Sequence, residues 1–214
     1  DRRSLVDPRA VLQPHPLGIR GWANRVERSL HHTDHFGRPH AQHHLALLDA
    51  REGAVEREIA AEVEYAMKMH GSDEVSFTTQ VGTGKRTSRV VVYPGDARIQ
   101  VGDAVQLDCG ATVSGYRGDL SRVAVAGKPD SDYLAMLSAT EEMYFRCLEA
   151  IRPGVRASDI ARVGIEVAKS HHLEEFLYRS PNHAPGFVGH GIGCHYSEPP
   201  ELHPEDDTIL EENM

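Results

Sequence analysis

Two aspartates, Asp108 and Asp119, stand on either side of a glycine-containing turn in LDCGATVSGYRGDLSR, residues 107–122. If the flanking segments pair antiparallel, the two carboxylates are opposed across a turn centred at Val113–Ser114. Opposed side chains in such a pair share a face, with Cβ atoms roughly 4.5–5.5 Å apart. Two carboxylates at that range repel, so the site must supply a proton, a basic partner or a cation. Arg117 and Arg122 are basic residues close in sequence. The run AVQLDCGA around Asp108 is apolar and argues for burial. Buried paired carboxylates are hard oxygen ligands and suit divalent ions such as Mn, Co, Fe or Zn. A structural ion network answers the same repulsion. The spacing alone leaves both readings open.

A second stretch, GFVGHGIGCHYSEPP, places His190 between Gly189 and Gly191. A glycine-rich loop lets backbone approach a ligand closely. Alone, such a histidine is more often structural, and the aspartate pair is what shifts the weighting towards a ligand. Histidines also cluster at 31, 32, 35, 40, 43 and 44, with His40 and His44 one helical turn apart. The simpler reading there is a solvated helix start. The GTGK stretch at 82–85 lacks the full phosphate-loop spacing and reads as a turn.

These residues need elements to position them. Val55, Ile59, Val63, Ala66 and Met67 recur at helical spacing within 45–70, with Glu56, Arg57, Glu58, Glu62 and Glu64 elsewhere around the helix and Gly71 as its stop. EVSFTTQV is rich in strand formers. RVVVY reads as a short apolar strand ended by Pro94–Gly95. ARIQVGDAVQLDCGATV alternates into a strand, and YRGDLSRVAVAG runs back. A helix over about 131–151 carries Leu134, Leu137, Tyr144, Cys147, Leu148 and Ile151 on one side and closes at Pro153–Gly154. A further helix starts at Ser158 as N-cap and carries Ile160, Val163 and Val167. Helices and antiparallel hairpins in this order predict an α+β fold.

The 214 residues suffice for one large domain or two small ones. With 23 basic and 32 acidic residues the net charge is −9, which argues against nucleic acid as a partner. No apolar run is long enough to span a bilayer, so no membrane role is expected. Cys109, Cys147 and Cys194 form no disulfide framework, and a reducing, cytoplasmic setting is the expectation. Residues 1–40, broken by Pro8, Pro14, Pro16 and Pro39, read as a linker or the remnant of an N-terminal domain, followed by one domain over 41–214. The chain opens on Asp1 and stops at ILEENM without a stop signal, which reads as a fragment.

The pattern D-C-G-A…G-Y-x-x-D-x-x-R followed by G-H-G-I-G…E-P-P resembles the methionine aminopeptidase, Xaa-Pro aminopeptidase and prolidase group, whose fold is called pita-bread. AREGAVEREIAAEVEYAMKMHG is similar to the helix before the catalytic hairpin in the Xaa-Pro branch, and the likeness covers roughly residues 45–214. It implies a truncated pita-bread domain and two divalent ions, with Asp108, Asp119 and His190 among the ligands. A metal-bridged water would attack the amide carbonyl of a small peptide substrate. Two further glutamate ligands of the family are not in this chain: LEENM resembles only the start of the stretch that carries the first, and Glu198 is a different position. Family peptidases also carry two substrate histidines. Val91 stands at the position of one, as the residue that would border the substrate, and Ser197 at the other, while His195 lies two residues away and would share Ser197's face if the segment were a strand. Alternatives are a non-peptidase C–N hydrolase of the same fold, of the creatinase or ectoine-hydrolase kind, and a catalytically degenerate binding module. The Xaa-Pro branch often dimerises, so a homodimer is a further expectation.

Overall fold

The computed structural model describes residues 51–177, 186–212 and 214. The histidine cluster, residues 1–40 and the start of the first expected helix lie outside the described residues.

Helix α1 spans Glu56–Met69, and its Ile59, Ala60, Val63, Ala66 and Met67 are buried. Gly71 terminates it with a φ of +96°, a conformation glycine adopts without a steric penalty. Strands β1 (Glu74–Val75) and β2 (Gln80–Thr83) follow, then a 3₁₀ turn at Gly84–Ser88. Strand β3 covers Ala104–Cys109, β4 Ala111–Val113, β5 Tyr116–Arg117 and β6 Leu120–Val125. Helix α2 (Ser131–Ala150) and helix α3 (Ala157–Ser170) pack on one another, and strands β7 (Gly189–Gly191) and β8 (Glu198–Leu202) form the last hairpin.

One antiparallel hairpin organises the middle of the chain. Asp108 pairs with Ser121 and Cys109 with Leu120 in β3–β6, and Thr112 pairs with Arg117 and Val113 with Tyr116 in β4–β5. The register is continuous, so the turn is Ser114–Gly115, both at positive φ, as a two-residue hairpin requires. Asp73 holds this turn by accepting the Ser114 amide at 2.7 Å. The hairpin is centred one residue later than the sequence spacing implies. Asp108 and Asp119 are therefore diagonal neighbours on one face instead of directly opposed.

The ladder splits at Gly110 into two three-stranded sheets, β2-β3-β6 and β1-β4-β5. A Cβ at Gly110 would lie 1.9 Å from the Gly118 carbonyl oxygen, so only glycine lets the two strands close here. Alternation along β3 sends Val105, Leu107 and Cys109 into a core shared with Ile59, Val63, Met67, Val81 and Ile99. It sends Gln106 and Asp108 to the other face.

Two further expectations are corrected. RVVVY is not a strand: Val92 alone is buried, while Val90, Val91 and Tyr93 are exposed. The N-cap of α3 is Arg156, and Ser158 lies inside the helix, fully buried, with its hydroxyl 3.3 Å from Asp207 Oδ1. Glu56, which lies off the apolar stripe of α1, is fully buried. The apolar side of α2 is formed as expected but largely uncovered, with Leu134, Tyr144, Leu148 and Ile151 each about half exposed and Ala139 the residue that is buried.

Candidate metal centre

Asp108 sits where β3 is flanked on both sides, by β2 and β6. Its ladder partner on β2 is Gln80, whose Nε2 donates to Asp108 Oδ2 at 3.2 Å. Among the described residues no donor reaches Asp108 Oδ1, which is buried. Burial is the main reason the Asp108 carboxyl is pushed up to about 7, with the charge of Asp119 and a hydrogen bond shared with it acting in the same direction. Burial also raises Asp119, against the opposing pull of His190 and of the hydrogen bond from Asp108. Two ionised carboxylates side by side are therefore disfavoured here, and a proton shared by the pair relieves the repulsion.

His190 completes the group. It lies on the short strand β7, not in a loop, and packs with its ring stacked on Phe187 at 5.9 Å between centroids and 22° between planes. Its Nδ1 is 2.9 Å from the Gly191 carbonyl oxygen, an acceptor only, so Nδ1 carries a proton. A metal-binding histidine almost always has its second nitrogen fixed in this way. Nε2 lies 3.5 Å from Asp119 Oδ2. A proton on Nε2 or a cation between the two atoms would join them. Gly191 is required at this bend, since a Cβ would meet the Pro199 and Glu198 carbonyl oxygens at 2.7 and 2.9 Å.

The structure brings Asp108, Asp119 and His190 together in successive pairs. Among the described residues, no group of three or more His, Cys, Asp or Glu side chains is placed so that it could hold a metal ion as it stands. The residue types nonetheless suit a divalent ion: the two carboxylates are hard oxygen donors, His190 Nε2 is a borderline nitrogen donor, and Asp108 Oδ1 is buried without a protein donor.

Arg117 and Arg122 are engaged elsewhere. Arg117 donates to the Ser76 carbonyl, to Glu74 Oε1 at 3.2 Å and to the Cys194 carbonyl at 3.2 Å, and its amide reaches the Gly193 carbonyl at 2.7 Å. It ties the 193–194 loop to the hairpin, which is how β7 reaches the carboxylates. Arg122 donates to the Ser121 carbonyl.

His195 and Ser197 lie in a bend, so strand alternation does not place them on one face. The His195 amide donates to Glu198 Oε2 at 3.1 Å, and its ring is exposed. Val91 is half exposed in an irregular segment held through its neighbour Val92.

Sequence reasoning missed two residues that build this site. Gln80 is one; a glutamine inside the strand-forming run EVSFTTQV was the available signal. Glu56 is the other. Its Oε1 accepts the Thr83 amide at 2.9 Å and Arg86 Nε at 3.0 Å, and its Oε2 accepts the Gly95 amide at 2.9 Å. It clamps both ends of the segment that carries Val91.

A two-aspartate hairpin with a histidine strand folded over it defines a pita-bread metallopeptidase domain. The sequence pattern of "Metallopeptidase family M24" matches residues 34–214, and the chain belongs to this family. The Xaa-Pro dipeptidase of Pyrococcus furiosus is 32% identical over 169 residues, which are 79% of this chain and 47% of that protein. The solved prolidase of the same organism superposes with a TM-score of 0.74 at 29% identity, covering 90% of this chain and 50% of that one. An X-Pro aminopeptidase from Thermotoga maritima gives a TM-score of 0.71 at 26% identity, covering 91% and 51%. The chain spans about half the length of the curated relatives it matches.

Proposed function

We propose that this chain is the metal-holding part of a hydrolase of the Xaa-Pro aminopeptidase or prolidase type, with Asp108, Asp119 and His190 as its ligands to a pair of divalent ions. The observation that carries the reading is the buried Asp108 Oδ1, left without a protein donor beside Asp119, whose Oδ2 lies 3.5 Å from His190 Nε2. When bound, divalent ions supply a water of lowered pKa and positive charge at the amide carbonyl oxygen. The chain's own part is to hold the carboxylates on one face and to fix the imidazole orientation through Gly191. The names of the relatives, Xaa-Pro dipeptidase and prolidase, favour a small peptide with proline after the scissile bond as substrate.

With three ligands of its own, the chain binds Mn²⁺ weakly. Calorimetric titration should detect that binding, and Asp108→Asn should remove it, because the carboxamide lacks the charge that the ion compensates. Equal binding by the unaltered chain and by Asp108→Asn would falsify the reading.

A further inference from the structure

Gln80 uses both ends of its side chain. Oε1 accepts the Val92 amide at 3.0 Å, while Nε2 donates to Asp108 Oδ2 at 3.2 Å. The first bond dictates the second. A backbone N–H can only donate, so the carboxamide oxygen must face Val92, and the NH₂ group is left facing the carboxylate. The orientation of this amide is thus set by the protein and not by choice between two equivalent placements.

The neighbourhood supports the same role. Gln80 and Gly82 lie on one face of β2, two residues apart. A Cβ at Gly82 would come within 2.7 Å of the Val92 side chain, so the missing side chain at Gly82 is the space that Val92 fills. Val92 is buried through this contact, and its amide is pinned two residues away by Gln80. The segment that exposes Val91 is therefore laid over the strand that positions Asp108. One carboxamide joins them.

We infer that Gln80 is a positioning residue: it holds the Asp108 carboxylate in one orientation for a divalent cation, and it fixes the Val91–Val92 segment at a set distance from that carboxylate. The inference rests on the metal reading above. A carboxylate with one oxygen held by a donor has one side-chain orientation, and the ion is met by a ligand that does not have to be ordered on binding. Partners of this kind typically contribute roughly 10- to 100-fold to metal affinity.

The test uses the chain with Mn²⁺ alone as the probe. Gln80→Met keeps length and volume but can neither accept from Val92 nor donate to Asp108. Gln80→Leu is a second, stiffer replacement. Calorimetry should show Mn²⁺ bound at least about tenfold more weakly by both variants. Hydrogen exchange of the Val92 amide in the metal-free chain should speed up, while the melting temperature without metal stays near that of the unaltered chain. A purely structural glutamine would give the reverse, a lower melting temperature with affinity unchanged, and that result overturns the inference. So does failure of both variants to fold without metal. Loss of Mn²⁺ binding in Asp108→Asn with none in Gln80→Met rejects the role of Gln80 and leaves the metal site standing. Unchanged binding in Asp108→Asn, or no binding by the unaltered chain, removes the metal site and this inference with it.

Discussion

Asp108 and Asp119 are diagonal neighbours across the β3–β6 ladder: Asp108 pairs with Ser121, and Asp119 lies two residues earlier on the returning strand. Two positions on one strand that are two residues apart point to one face, so both carboxyls look into the same space. Gln80 holds one oxygen of Asp108, and His190 faces Asp119. A shared proton would relieve the two carboxylates' mutual repulsion, and so would the ion proposed above in its place.

That substitution predicts a pH dependence. The Asp108 carboxyl is raised from 3.8 to about 7 in the folded chain. The folded state then binds more protons than the unfolded one across that window, so this group's contribution to stability is full below about pH 4 and is lost as the pH rises through about 7. Asp108→Asn mimics the protonated carboxyl. Its melting temperature, relative to the unaltered chain, should climb between pH 4.5 and pH 7.5 (~3 units, following from the linkage relation). Mn²⁺ should restore the unaltered chain at the upper end and leave the variant unmoved. Parallel melting curves for the two proteins across this range would count against the shared proton.

The clamp at Glu56 gives a second prediction. Glu56 is fully buried and Arg86 one-third exposed, with the ion pair at 3.0 Å. Removing one partner of a buried pair leaves an uncompensated group, at a cost of about 3–5 kcal/mol for full burial. Glu56→Gln retains one acceptor for three donors and should destabilise the chain by about 2–4 kcal/mol. Arg86→Met should cost less, since two backbone amides still reach the carboxylate and the guanidinium is partly solvated. The double variant should cost less than the sum, as expected for groups in contact. Urea unfolding measures all three, and strict additivity would show that the two side chains act independently.

Much of this arrangement was legible because it is periodic or glycine-marked. The α1 core face at Ile59, Val63, Ala66 and Met67 follows a 3.6-residue repeat, and β3 follows a two-residue repeat, so both faces could be assigned from residue types. The aspartate pair was visible because apolar residues flank Asp108. The hairpin register was misplaced by one residue because spacing alone does not choose the turn, whereas positive φ at Ser114 and Gly115 does. RVVVY has strand composition but no ladder partner; Val92 instead docks into the gap at Gly82. The role of Glu56 was not legible, because helical spacing cannot reveal that Thr83, Arg86 and Gly95 converge on it from distant parts of the chain.

The last prediction concerns the two positions where substrate histidines are expected by resemblance. Val91 is half exposed and apolar, and Ser197 lies in the bend before β8. In an enzyme that also carries the two further glutamates, turnover of Xaa-Pro dipeptides should be slow even when the metal is fully bound. Ser197→His should raise kcat, because it returns a donor to where negative charge develops; losing one such donor costs roughly a hundredfold to a thousandfold in comparable sites. Val91→His should raise it less. Its neighbour Val92 is fixed by Gln80 and Gly82, so the backbone at 91 is held in place and cannot re-aim the new imidazole. His195 is the competing donor. Its backbone is anchored by Glu198 while its ring remains exposed, which leaves the ring able to turn towards a bound substrate. If His195 already serves, His195→Ala should abolish turnover and Ser197→His should add little. If turnover with the metal bound is indifferent to both His195→Ala and Ser197→His, the missing histidines have no bearing on the chemistry, and the substrate is an amide other than a peptide.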